Sequence, residues 1–161
     1  MIRHPALGLP PRSLVAGFPE AAERLRSNRA RIGTRALQIA LELDPTLRER
    51  YDEIGLRRLL RDTEVFLDRI ALCVAGDDPH WAREFADWVV PIYRRRRVPM
   101  DDLVTLHEAF RRAVAAYLEP DELAAAGRAI DEAIRVFRWN RRIAGDARKR
   151  NKLLEFIYKG A

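Results

Sequence analysis

Four consecutive arginines, Arg94 to Arg97 in IYRRRRVPMDD, are the densest charge in the sequence. Such a run would grip phosphates or an acidic partner by charge. Its neighbours supply a plainer explanation. The arginines close one helical pattern and Asp101 and Asp102 open the next. Cations at a helix C-terminus and anions at an N-terminus each complement the helix dipole, at about 0.3–1 kcal/mol apiece. The reading preferred here is a solvated charge run at a helix junction, with the two sets facing each other across one tight turn.

The second basic stretch, RWNRRIAGDARKRNK, sets Arg138, Arg141, Arg142, Arg148, Lys149, Arg150 and Lys152 against one acid, Asp146. These cations would neutralise several phosphates and give binding that falls steeply with salt. Residues for stacking or base-edge contact are sparse in the stretch, with Trp139 and Asn140 the obvious ones. Nucleic-acid binding through this segment is therefore the rival function, behind one based on protein contacts.

Among the histidines, His4 and His80 lie in proline-flanked, solvated contexts. His107 follows Leu103 by four positions and precedes Phe110 by three, which sets it at the edge of a buried helical face. It is the one candidate cofactor ligand, for haem iron. The plainer reading is a single hydrogen bond at the rim of the core. Cys73, the single cysteine, lies in the apolar run FLDRIALCV and reads as a small core residue. One cysteine permits neither an internal disulfide nor a multi-cysteine metal site. Asp62, Glu64, Asp68 and Glu84 are spaced from arginines as surface ion pairs are. With no Glu-x-x-His motif, nucleophile–base pair or phosphate-cradling glycine loop, the chain does not read as an enzyme. No cofactor and no metal are expected.

The elements that position these residues are helical throughout. At 161 residues, 48% hydrophobic and 34% charged, the sequence suits one compact domain. Its formal net charge is +6, and only three of its 30 basic residues are lysines. No apolar stretch approaches the roughly 20 residues that cross a bilayer. The proline-rich start lacks a signal peptide's apolar segment, so a cytoplasmic protein is expected.

The spacing predicts a first helix from near Pro19 to before Asp44-Pro45, burying Leu25, Ile32, Ala36, Ile39 and Leu43. A second buries Leu56, Leu59, Leu60, Phe66, Leu67, Ile70 and Val74 and stops at Gly76, with Asp77 or Asp78 capping the next. A third turns Trp81, Phe85, Trp88, Val89 and Ile92 inward around a kink at Pro91. A fourth buries Leu103, Leu106, Phe110, Val114 and Tyr117, and a fifth buries Leu123, Ile130, Ile134 and Phe137. The fold class is all-α, a single bundle of about five helices. The aromatic residues read as core in preference to a small-ligand pocket.

Three segments follow. Residues 1–18 form a loosely ordered lead-in, residues 19–137 the bundle, and residues 138–161 a basic and then apolar helical extension. The apolar tip, with Leu153, Leu154, Phe156, Ile157 and Tyr158, is the candidate partner-binding element, since such a tip packs on its own core or on another chain.

Residues 56–118 carry a family resemblance. A helix, an acidic Gly76-Asp77-Asp78-Pro79 turn and an aromatic helix lead into Arg97-Val98-Pro99-Met100-Asp101-Asp102-Leu103-Val104 and then Ala109-Phe110-Arg111-Arg112-Ala113. This stretch resembles the amino-terminal sensor domain of stressosome co-antagonists of the RsbR type. Arg97 stands where that pattern has glycine. The resemblance implies a globin-like fold without haem that dimerises and passes a signal through its last helix.

The function expected from the sequence is thus a non-enzymatic, homodimeric sensory or regulatory protein of bacterial stress signalling. It would work by helix packing, possess a regulatory protein partner and involve neither membrane nor nucleic acid. A haem-binding or small-ligand globin is the third reading.

Overall fold

The computed structural model describes residues 16–145. Their order is α1 (Pro19–Ser27), α2 (Arg29–Leu43), α3 (Leu47–Arg50), α4 (Glu53–Gly76), α5 (His80–Arg95), α6 (Met100–Val114), a 3-10 turn (Ala115–Tyr117) and α7 (Pro120–Ala144). The described residues contain no strand. The all-α expectation stands, with more helices than five for a local reason. The first expected helix is two, because the Asn28 side-chain amide donates to the Arg24 carbonyl at 2.9 Å and competes with the backbone there.

Local chemistry sets the other ends. Asp52 caps α4 by accepting from the Gly55 amide at 2.7 Å. Asp77 ends that helix in the left-handed conformation, φ 47°. Glu119 and Glu122 form a reciprocal capping box at the start of α7, and Arg24 of α1 pairs with Glu122. Pro91 lies on the exposed side of α5, which continues past it to Arg95.

The core sits where α6 packs between α2 and α7, with α4 and α5 closing against α7. Leu67, Ile70, Leu103, Phe110, Ile130 and Phe137 are all at most 2% exposed. At the α2–α4 contact there is no space for a side chain at Gly33. A Cβ there would lie 2.5 Å from Thr63 Oγ1.

The expected inward face of α5 is one residue out of register. Ala82, Ala86, Val89, Val90 and Tyr93 are buried, whereas Trp81 is 43% and Trp88 65% exposed. Small Ala82 and Ala86 let α5 seat closely on its neighbours, and that seating turns the tryptophans outward. Leu43, expected inside, is 39% exposed. Tyr117 lies in the 3-10 turn, half-buried.

Candidate functional site

His107 is enclosed completely. Its Nδ1 pairs with the Leu103 carbonyl at 2.8 Å, and its ring packs against Phe66, Phe137 and Phe110 at 4.7, 5.1 and 5.8 Å between centroids. Burial lowers its pKa to about 4, so the ring stays neutral. The expected rim position is a central one. It lines neither of the two cavities described below.

The arginine run spreads outward instead of facing Asp101 and Asp102. Arg94 donates to the Asn140 carbonyl of α7 at 2.7 Å. Arg96 pairs with Asp62 of α4 at 3.1 Å and lies over the Tyr93 ring. Arg97 takes a left-handed conformation, φ 57°, while the Val98 amide returns to the Tyr93 carbonyl at 2.9 Å. Asp101 pairs with Arg141 at 3.0 Å. Asp102 is buried under Arg50 and Tyr51. Within the run, Arg97 therefore serves the helix end, and Arg94 and Arg96 make two inter-helix ties.

Of the C-terminal basic residues, Arg138, Arg141 and Arg142 continue α7 as exposed positions, and Arg142 lies over the Trp139 ring. Arg148, Lys149, Arg150 and Lys152 lie outside the described residues, as do Leu153, Leu154, Phe156, Ile157 and Tyr158. An open cleft of about 840 Å³ runs along α6 and α7 beside Glu108, Asp131, Arg135, Arg138, Trp139 and Arg142. Between α4 and α5 a groove of about 140 Å³ lies among Asp62, Val65, Phe85, Trp88, Tyr93 and Arg96. Phe85 and Trp88 stack there at 5.8 Å, and Val65 beside them is 43% exposed. Sequence reasoning missed this outward aromatic face. The signal for it was the second helical stripe, Ala82, Ala86, Val89, Val90 and Tyr93, which interleaves with the tryptophans.

Among the described residues, no group of three His, Cys, Asp or Glu side chains could hold a metal. No described helix is long and apolar enough to cross a membrane. What remains is a packed all-α unit whose distinctive surface is aromatic, a globin-like helical fold. The phycobilisome protein family model matches residues 19–137, well over half of the chain. The chain belongs to the phycobilisome protein family. No curated protein matches it.

That membership corrects the expected family and function. The resemblance to RsbR-type sensor domains rested on helix ends and apolar spacing, which two families of globin-like helical proteins share. The stress-signalling reading falls with it, and so do the nucleic-acid and haem-globin readings. The family is one of light-harvesting structural proteins that assemble into oligomers, and not of enzymes.

Proposed function

We propose that this chain is a non-enzymatic subunit of a light-harvesting assembly and acts by packing against other globin-like subunits, a second copy of itself included. The observation that carries this reading is the outward face of α5 within the family-matched region. Trp81 and Trp88 are seven positions apart, so they share one side of the helix, with Phe85 and Val65 beside Trp88. Exposed aromatic surface of this kind marks protein contacts more often than free solvent-facing surface.

The segment plan that goes with this reading keeps residues 19–137 as the packing unit, with residues 1–18 and 138–161 flanking it. Leu153, Leu154, Phe156, Ile157 and Tyr158 would add a second contact. The chain would work in the cytoplasm beside a membrane and not within one.

A bilin, the open-chain tetrapyrrole pigment of such antennae, is held by a thioether to cysteine. The described residues do not fit that attachment. Cys73 is 1% exposed and lines neither cavity, so no step of the proposed function runs through a bound pigment.

Sedimentation velocity tests the reading. The full chain should sediment as a dimer or larger, and Trp88→Glu should shift it toward monomer with an unchanged helical circular dichroism spectrum. A chain that stays monomeric at every concentration, and that fails to co-elute with phycobilisome subunits, would overturn it. Truncation after Gly145 reports separately on the apolar tip.

A further inference from the structure

We propose that this chain carries no thioether-linked bilin and serves its assembly as an unpigmented subunit. The second clause rests on the function proposed above. The first rests on where the chain places its one thiol.

The sequence contains one cysteine. Cys73 lies on α4, packs with Ala82 of α5 and Ala129 of α7, which are 5% and 0% exposed, and lines neither of the two cavities described. A thioether forms when a thiolate adds across an exocyclic carbon–carbon double bond of the terminal pyrrole ring. The sulfur–carbon bond forms, the proton that left sulfur ends on the adjoining carbon, and no oxidant or reductant is consumed. The addition needs an ionised sulfur, a reachable carbon and space beside the sulfur for the ring that bears it.

All three are missing at Cys73. Burial pushes the thiol up to about 11, so near neutral pH roughly one molecule in 10⁴ is ionised. The two alanines occupy the positions the ring would need. Sites for ligands of this size have volumes of about 300–1,000 Å³. The α4–α5 groove, at about 140 Å³, falls below that range. The cleft of about 840 Å³ falls within it but is open and lies along α6 and α7, with no cysteine in its lining. Bringing a tetrapyrrole to Cys73 would require α5 to lift from α4 and α7, exposing Ala86, Val89, Val90 and Tyr93.

The test produces the full chain in cells that make phycocyanobilin and a broad-specificity bilin lyase, beside a pigmented phycobilisome subunit as positive control. After denaturing electrophoresis with zinc, the control band should fluoresce and this chain should not. Colour that accompanies the native chain but leaves it on denaturation upholds the first clause, since no covalent bond then exists, and overturns the second, since the native subunit is then pigmented. A fluorescent band whose intact mass is raised by one bilin on Cys73 would overturn it. In parallel, Ellman's reagent should leave the native chain unmodified and release one equivalent in guanidinium. Immediate full reaction of the native chain would remove the premise.

Failure here is distinguishable from failure of the assembly reading. A chain that self-associates yet fluoresces sinks only this inference. One that stays monomeric, co-elutes with no phycobilisome subunit and stays colourless sinks the assembly reading and the second clause with it, and leaves the first clause standing.

Discussion

Arg50 grips Asp102 with both arms of its guanidinium, Nε to Oδ2 at 3.1 Å and Nη2 to Oδ1 at 2.8 Å. The Tyr51 hydroxyl donates to the same carboxylate at 2.7 Å, and Arg50 Nη2 also reaches Asp44 at 2.8 Å. Short α3 is thereby tied to the first turn of α6. The carboxylate is almost wholly enclosed, while the guanidinium keeps 22% of its side chain in water.

That asymmetry orders two variants. Arg50→Ala leaves a buried carboxylate without its ion-pair partner, a loss of about 3–5 kcal/mol. Asp102→Ala leaves a guanidinium that still has Asp44 and partial access to solvent, and should cost about 1.5–3 kcal/mol. Urea unfolding of both variants at one pH checks the order. Equal losses, or the reverse order, would refute the account of burial given for this pair.

His107 sets a second expectation, for acid. The unfolded ring titrates near 6.5 and the folded ring near 4. Above pH 6.5 both states are neutral and the stability from this site is fully present. As pH falls from 6.5 toward 4, the unfolded chain takes up a proton that the folded chain refuses, and about 3 kcal/mol is lost. His107→Leu should remove this part of the acid dependence. Denaturation midpoints at pH 7 and 4.5 measure it, and an unchanged difference between the two pH values would contradict the assignment.

Arg97 is a non-glycine residue at φ 57°. For an L side chain that conformation costs about 1–2 kcal/mol. Its side chain is exposed, so little packing is lost on removal. Arg97→Gly should raise stability by about 1 kcal/mol, read as a higher thermal midpoint. A lower midpoint would mean that the side chain contributes more than its backbone strain removes.

The sequence was most legible where a helix buries one continuous stripe. Phe66, Leu67, Ile70 and Val74 on α4, and Leu103, Leu106, Phe110 and Val114 on α6, are buried as their spacing predicts. It was least legible on α5, where two interleaved stripes are both apolar and the bulkier one reads as the inside. Size misled there, because close helix packing selects alanine. Arg50 and Asp102 are 52 positions apart, and periodicity says nothing about a pair at that separation. The family assignment failed for a related reason. The features that carried it over residues 56–118, the turn at 76–79, the junction at 97–104 and the apolar spacing around them, encode helix ends and buried faces, which physics imposes on unrelated chains alike. Family membership rests on the pattern of residues 19–137 as a whole.

The contact of Gly33 with Thr63 has a further consequence, for descent. Because no atom can be added at position 33 while a hydroxyl occupies position 63, homologous chains should trade volume between the two sites: a larger residue on α2 should arrive only with a smaller one on α4. The pair is thus a place to look for co-inherited change, and a way to recognise which distant sequences keep the same seating of these two helices.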